Sequence, residues 1–391
     1  MNNGAPPIEP FTPALDAEAV DDLRRRLAAT RWPDTPADTG WDWGVDVAYL
    51  RELADYWLHH FDWGTQLGRF TRFPQFRVEL GGLRIHVIHA RGVTAGTGTP
   101  APMPLILNHG WPDSSWRYTK VIPLLTDPGA HGADPADAFD VVVPEMPGYG
   151  WSDIPRDGPL NSIEVAGLWA DLMTAVGYQT FATAGGDIGS HVSRYLSLDF
   201  PDRVIASHRM DAGTARYVGE RADLTPEEQA WMAEGAAWTA TEGAYSAIHR
   251  TKPQTIAAAL TDSPVGLAAW IVEKLHSWSD CHGDLESVYT KDEILTLVTQ
   301  YWMTGTIGSS MRMYRANADI GPDQLARRVE VPSGFSLFPV DIATPPRAWL
   351  DRTAHTVRVT TPPRGGHFAP FEQPEIYAHE LRDFFRPYRQ G

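Results

Sequence analysis

Three short segments combine residues that could carry out nucleophilic catalysis. The first, residues 185–189, reads GGDIG and has the form of a nucleophile elbow, a sharp turn in which small neighbours let one side chain project. Its central residue is Asp187, whereas an esterase would carry serine at this point. The same segment is equally typical of an aspartate that caps a helix after a glycine-rich turn. By itself it does not separate the two interpretations.

The second segment, residues 108–112, reads NHGWP and follows an apolar run. A strand that ends in His-Gly-x-Pro predicts a loop whose Trp111 N–H faces the nucleophile, with the Ile188 N–H as the second donor of an oxyanion hole. A tight turn fixed by glycine and proline would explain the same residues without catalysis. The third segment, residues 365–368, reads GGHF and offers His367 as a general base.

Alternating strands and helices must position these segments. Short apolar runs predict strands at residues 105–107, 141–143, 180–184, 334–338 and 356–359, and longer periodic patterns predict helices at 162–176 and 374–385. Such alternation favours a parallel sheet with crossover helices, and ligands bind at the carboxyl edge of such a sheet. Each of the three segments lies just after a predicted strand, so we expect them to meet at that edge.

The rest of the chain shows other patterns. Residues 16–31 and 45–60 predict two helices, and residues 76–80 and 83–89 predict a β-hairpin around Gly81-Gly82. Between residues 215 and 330 helical patterns dominate. The predicted organisation is an N-terminal extension (1–95), a first part of the α/β core (96–214), a helical lid (215–330) and a second part of the core (331–391).

Composition limits the partners of the protein. The 391 residues carry 33 basic and 49 acidic side chains, a formal charge of −16, so the surface should repel nucleic acids and anionic membranes. The short basic run at residues 24–26 lies in a helical pattern and is typical of a solvated face. The single cysteine, Cys281, allows no intramolecular disulfide. No cysteine or histidine cluster has metal-ligand spacing, so we expect no metal.

The location of the protein follows from what its sequence lacks. The N-terminus shows neither the basic start nor the apolar run of a signal peptide. No stretch approaches the ~20 apolar residues that span a bilayer. The expectation is a soluble cytoplasmic protein that binds no membrane, with a homodimer left open.

Taken together, the motifs resemble the epoxide hydrolase family of the α/β-hydrolase fold, in the branch that contains microsomal, juvenile-hormone and fungal enzymes. The likeness covers nearly the whole chain. Besides the three segments, the matching stretches are RWPD (31–34), YLREL (49–53), FDW (61–63), FPQF (73–76), PGYGWS (147–152), TKP (251–253), DSPVGL (262–267) and YW (301–302). The resemblance implies an α/β class fold: a mostly parallel central sheet with helices on both faces, a helical lid and that branch's N-terminal extension.

The resemblance also implies roles for residues outside the three segments. Asp341, in FPVD, matches the family's Phe-Pro-x-acid stretch and would orient His367. Asp351 and Glu330 are weaker candidates for that acid. Two lid tyrosines resemble the family's proton donors. They are Tyr314, in MRMYR, and Tyr245, in GAY, and either could instead be a packed aromatic; the neighbouring Tyr301 is expected only to pack.

The chemistry explains why an aspartate stands at the elbow. A serine that opened an epoxide would leave an ether, which water does not readily cleave, whereas a carboxylate leaves an ester. The predicted reaction is therefore hydrolysis of an epoxide to a vicinal diol through an alkyl-Asp187 ester, which water activated by His367 cleaves. Its partners would be a small-molecule epoxide and water, and it needs no cofactor.

Two other functions remain as alternatives. A haloalkane dehalogenase also uses an aspartate elbow and a histidine base, and Trp111 could then bind the halide, but dehalogenases lack the long N-terminal region. A non-catalytic binding protein of the same fold would usually lose part of the constellation, and here all of it is present. Five tryptophans could line a pocket for a bulky or aryl epoxide or could equally belong to the core: Trp151, Trp231, Trp238, Trp270 and Trp278.

Overall fold

The structure is a computed structural model that describes residues 6–94, 96, 100–211, 223–342 and 344–389. Within these residues, nine strands form one sheet in the spatial order β1-β2-β3-β5-β4-β6-β7-β8-β9. The strands are β1 (Ile8–Pro10), β2 (Gln75–Leu80), β3 (Leu83–Ala90), β4 (Met103–Asn108), β5 (Phe139–Pro144), β6 (Phe181–Gly185), β7 (Val204–Arg209), β8 (Val329–Ser336) and β9 (Ala354–Thr360).

The sheet is antiparallel at one edge and parallel elsewhere. The pairs β1–β2, β2–β3 and β3–β5 are antiparallel, while β5, β4, β6, β7, β8 and β9 pair in parallel in that order. Strands β4, β5 and β6 are buried almost throughout, which explains their largely apolar sequences. The predicted α/β fold with a mostly parallel sheet is confirmed.

Sixteen α-helices occur in the described parts of the chain. They are α1 (Ala17–Ala28), α2 (Val47–His59), α3 (Trp63–Phe70), α4 (Val121–Thr126), α5 (Ser162–Ala175), α6 (Ile188–Asp199), α7 (Pro226–Glu242), α8 (Ala244–Thr251), α9 (Pro253–Asp262), α10 (Pro264–Trp278), α11 (Lys291–Thr304), α12 (Ile307–Ala318), α13 (Pro322–Leu325), α14 (Arg347–Thr353), α15 (Ala369–Glu372) and α16 (Pro374–Phe385). The helices of the core pack as α5 on α6 and as α4 on α16.

The helices between β7 and β8, α7 to α13, are called the lid helices below. Helix α7 begins at a capping box in which Thr225 and Glu228 satisfy each other's backbone N–H groups. The N-terminal helices pack on this region, α1 and α2 on α10, and α2 and α3 on α11. The predicted start of the lid at residue 215 lies outside the described residues.

The described helices differ in length and composition from helices that span membranes. No single helix among them is long and apolar enough to cross a membrane. Helices α9 and α10 reach that composition only as a pair, and they are bent by 119° at the break between them.

Candidate active site

The turn between β6 and α6 holds Asp187 in a strained backbone conformation. Its φ is +56° and its ψ is −132°, a region that residues other than glycine rarely adopt. The turn is tight because Gly189 touches the end of β4, where an added Cβ would lie 2.0 Å from the carbonyl oxygen of Asn108. The side chain of Asp187 does not cap α6 through the N–H groups of Gly189 or Ser190. It therefore projects from the turn, as a nucleophile elbow requires.

A stability prediction follows from this close contact. Replacing Gly189 with alanine should lower the free energy of unfolding by about 3 kcal/mol or more, because backbone atoms on both sides would have to move. The control is Gly167→Ala in α5, where an added Cβ meets nothing within 4 Å. That change should raise stability by about 0.5–1 kcal/mol through helix propensity. Chemical denaturation measures both, and equal stabilities for the two variants would contradict the described packing.

Two backbone N–H groups face the carboxylate of Asp187. The N–H of Trp111 donates to Oδ1 of Asp187 at 2.8 Å, and the N–H of Ile188 also contributes a hydrogen bond to this carboxylate. The loop that carries Trp111 comes this near because Gly110 has no side chain, since a Cβ there would lie 2.3 Å from Oδ1. The structure thus brings both predicted oxyanion-hole residues to Asp187.

His367 lies between two carboxylates. Its Nδ1 is 2.7 Å from Oδ1 of Asp341, and its Nε2 is 3.6 Å from Oδ2 of Asp187. Asp341 lies in the loop after β8, where Ile342 N–H also donates to Oδ1 at 2.7 Å. The side chains of His367 and Asp341 are both buried. The side chain of Asp341 is therefore placed to orient the imidazole, as predicted.

The carboxylates of Asp187 and Asp341 and the imidazolium of His367 each favour the charged form of their neighbour. Burial would lower the pKa of His367, but the carboxylates of Asp341 and Asp187 raise it to about 10. Burial would raise the pKa of Asp187, but His367 and the N–H groups of Ile188 and Trp111 lower it. With no substrate bound, the site accordingly holds an ionised Asp187 beside a protonated His367 at neutral pH.

The two predicted lid tyrosines lie together above this group. Tyr245 and Tyr314 have ring centroids 6.0 Å apart, and Tyr245 stacks on the indole of Trp111 at 5.4 Å. Burial raises the pKa of both phenols, and the negative charge of Asp187 raises each further. Both hydroxyls therefore stay protonated at neutral pH and are available as donors.

A cavity of about 510 Å³ joins the tyrosines to the carboxylates and to the imidazole. Its lining residues that bear on the chemistry are Asp187, Asp341, His367, Tyr245 and Tyr314.

Of the five tryptophans considered for the pocket, only Trp231 and Trp238 line this cavity, both from α7. Trp278 instead packs on the rings of Tyr245 and His367, at 5.1 and 5.3 Å. Trp151 packs on Phe70, 5.0 Å away. The indole N–H of Trp270 donates to His249, at 3.2 Å.

The weaker candidates lie elsewhere. Asp351 pairs with Arg347, and Glu330 pairs with Arg328, both at the surface. The hydroxyl of Tyr301 donates to the backbone carbonyl of Asp113 at 2.8 Å and accepts its N–H, so it ties lid helix α11 to the loop after β4.

Sequence reasoning missed a buried ion pair that connects two loops of the site. Arg117 binds Asp113 through Nη1 and donates from Nη2 to the backbone oxygen of His367 at 2.6 Å. Both side chains are buried. The only signal in the sequence was the position of Asp113 directly after the NHGWP segment. Nothing there indicates that Arg117 binds a carbonyl 250 residues further along the chain.

Among the described residues, no group of three or more His, Cys, Asp or Glu side chains could hold a metal ion. The fold and this arrangement of side chains define the chain as an α/β hydrolase with an aspartate at the nucleophile position.

Comparisons with known proteins narrow this class. Residues 8–118 match the family model described as epoxide hydrolase N terminus, and residues 103–233 match the model described as alpha/beta hydrolase fold. "Epoxide hydrolase 1" of Sus scrofa is 34% identical over 96% of this chain and 88% of its own. A protein of Stigmatella aurantiaca with a provisional epoxide hydrolase name is 40% identical over 98% of this chain and 86% of its own.

Solved structures agree with the sequence matches. The crystal structure of juvenile hormone epoxide hydrolase from the silkworm Bombyx mori has a TM-score of 0.89 at 28% identity, covering 98% of this chain and 95% of that one. The Aspergillus niger epoxide hydrolase has a TM-score of 0.85 at 29% identity, covering 98% and 97%. The chain belongs to the epoxide hydrolase family.

Proposed function

We propose that this protein hydrolyses an epoxide to a vicinal diol through a covalent ester on Asp187. The observation that carries the proposal is that the two oxygens of that carboxylate have different surroundings. Oδ1 accepts the Trp111 N–H, while Oδ2 lies on the side of His367, in the cavity that the two tyrosines also line. Membership of the epoxide hydrolase family supports the same reaction.

In the first step, Oδ2 of Asp187 attacks an epoxide carbon and the C–O bond of the strained ring breaks. Because Asp187 is already ionised, this attack needs no base. The difficult product is the alkoxide, which is far more basic than the carboxylate that displaces it. Tyr245 and Tyr314 donate hydrogen bonds or a proton to that oxygen as charge develops.

In the second step, His367 removes a proton from water, and the hydroxide attacks the carbonyl carbon of the Asp187 ester. The N–H groups of Trp111 and Ile188 stabilise the oxyanion on Oδ1, where one good donor contributes roughly 3–4 kcal/mol. The acyl C–O bond of the tetrahedral intermediate then breaks, and the leaving alkoxide takes up a proton that His367 relays from the new carboxyl group. This step releases the diol and restores the Asp187 carboxylate.

The same geometry explains how His367 becomes a base only when a base is needed. In the free site, the negative charge of Asp187 helps to raise the pKa of His367. Ester formation removes that charge, so the pKa of His367 falls. The imidazolium can then give its proton to the new alkoxide, or to the phenolate left by the tyrosine that protonated it. Asp341 stays ionised and stabilises the imidazolium that forms again when His367 takes a proton from water.

Replacing either tyrosine should slow ring opening while leaving ester hydrolysis intact. Tyr314→Phe and Tyr245→Phe should each lower the rate of ester formation by about 10- to 100-fold, because one of two proton donors is lost. The double variant should lose far more than either. Rapid-quench kinetics separates the two steps, and Tyr56→Phe, outside the cavity, is the matched control. Full activity of the double variant would remove the tyrosines from the mechanism.

The reaction class is tested by product analysis with styrene oxide and aliphatic epoxides, in parallel with a chloroalkane. Diol formation without chloride release supports the proposal. Chloride release would favour a dehalogenase, although the indole of Trp111 does not line the cavity in the described structure and so is poorly placed to bind a halide. Neither product, with every substrate bound and unchanged, would favour a binding protein.

A further inference from the structure

Hydrogen bonds to the backbone N–H and to the backbone carbonyl of His367 hold the loop that carries it. The N–H of His367 donates to the carbonyl of Trp278 at 2.8 Å, and its own carbonyl accepts from Arg117 at 2.6 Å. The N–H groups of its two neighbours, Gly366 and Phe368, both point to one carboxylate, that of Glu372. The direction of the imidazole therefore depends on where this carboxylate lies.

Glu372 joins this loop to a second segment. Its Oε2 accepts the N–H of Gly366 at 3.0 Å and the N–H of Asp280 at 2.9 Å, while its Oε1 accepts the N–H of Phe368 at 2.8 Å. Asp280 lies just beyond α10 and in turn accepts the Gly365 N–H at 2.9 Å. An ionised carboxylate suits this position because it has only acceptors and can take N–H donors on both oxygens.

The charge of Glu372 has no ion-pair partner within 4 Å in the described part of the chain, and its side chain is buried. Burial raises the pKa of Glu372, and this effect outweighs the opposite effect of its N–H donors and of the more distant Arg117. The resulting pKa is about 7. A buried carboxylate without a cation is costly to keep, so its hydrogen bonds to the loop are its main compensation.

We propose that Glu372 is a positioning residue for the second half of the reaction, one whose carboxylate holds the His367 loop so that Nε2 meets the water that attacks the ester. This inference rests on the proposed function. Its physical basis is that proton transfer is sensitive to misplacement of the base by as little as 1 Å. Ring opening uses Asp187 and the tyrosines, so it depends much less on the exact direction of the imidazole.

The decisive variant is Glu372→Gln, which keeps the size of the side chain. Its NH₂ group would face at least one N–H donor that now meets an oxygen, so at least one of the three hydrogen bonds is lost. Glu375→Gln is the matched control, since Glu375 lies three residues further on, is exposed, and has no described contact with the site.

The experiment follows ester formation and ester decay by rapid quench and intact mass, with styrene oxide at about pH 8.5, where Glu372 is ionised. For Glu372→Gln, the rate constant of hydrolysis should fall about 10- to 100-fold while that of ester formation stays within about threefold. The adduct should therefore accumulate. Glu375→Gln should match the wild type in both steps.

A purely structural role would lower the active fraction, seen as a smaller amplitude, without changing either rate constant. That result, an equal fall in both rate constants, or an unchanged hydrolysis rate would overturn the proposal. If Glu372→Gln fails to fold, Glu372→Asp is judged by the same criteria. Absence of any adduct or diol with the wild type and with His367→Gln would instead be a failure of the proposed function, which these measurements show separately.

Discussion

Asp187→Ala protein should form diol at least about 10⁴-fold more slowly than the wild type, because removing the nucleophile of a covalent mechanism leaves only binding and polarisation. The alanine variant keeps the N–H groups of Trp111 and Ile188, and it keeps both tyrosines. Bound epoxide would therefore still be activated, but it would have no group positioned to attack it. Product analysis over long incubation measures the residual rate.

Asp351→Ala is a suitable control for this variant. Asp351 lies at the surface, paired with Arg347, and does not line the cavity. It should retain the activity of the wild type. If Asp187→Ala kept more than about a tenth of wild-type turnover, water activated directly by His367 would be the better account.

His367→Gln is expected to stop the reaction after the Asp187 ester has formed. Asp187 can still attack and the tyrosines can still donate, but no base remains to activate water. Turnover should fall by about 10³-fold or more, and intact-mass spectrometry should show the protein heavier by one substrate, with the adduct on Asp187. The wild type should show at most a small fraction of this species.

The control for the histidine variant is His131→Gln, at an exposed position that does not line the cavity. It should turn over normally and show no stable adduct. An unmodified His367→Gln protein that still binds substrate would show that His367 is needed before the ester forms, contrary to the assignment made here.

Much of the fold could be predicted from local sequence. The central strands β5 and β6 are almost fully buried, so their sequences are largely apolar runs, and both were found in this way. Helix α16 was predicted with its bounds, because Pro374 begins it and a periodic apolar face follows. The elbow and the His367 loop were found because glycine-rich turns stand out after strands.

Other elements gave no such signal. Strand β7 ends in two buried polar residues, His208 and Arg209, which break its apolar run. Strand β1 has three exposed residues, and α3 is only eight residues long with two glycines. Their structures depend on tertiary contacts more than on local preference.

In the candidate site, too, some residues could be predicted from local sequence and others could not. Asp187, His367 and the oxyanion loop follow from spacing, whereas Asp341 and the two tyrosines came only from resemblance to a family. The supports of the His367 loop, Arg117 and Glu372, were not found at all. The bond from Arg117 to the His367 carbonyl joins residues 250 apart in the chain. Such partners are chosen by the folded structure, and nothing local in a single sequence marks them.

In the proposed mechanism, the oxygen added to the epoxide in the first turnover comes from Asp187, and water replaces that oxygen in the carboxylate. A single turnover in H₂¹⁸O, with enzyme in excess over styrene oxide, tests this directly. We expect unlabelled diol and one ¹⁸O in the peptide that contains Asp187, because water attacks the ester carbonyl. Labelled diol with an unlabelled peptide would contradict it, since water would then have opened the ring itself.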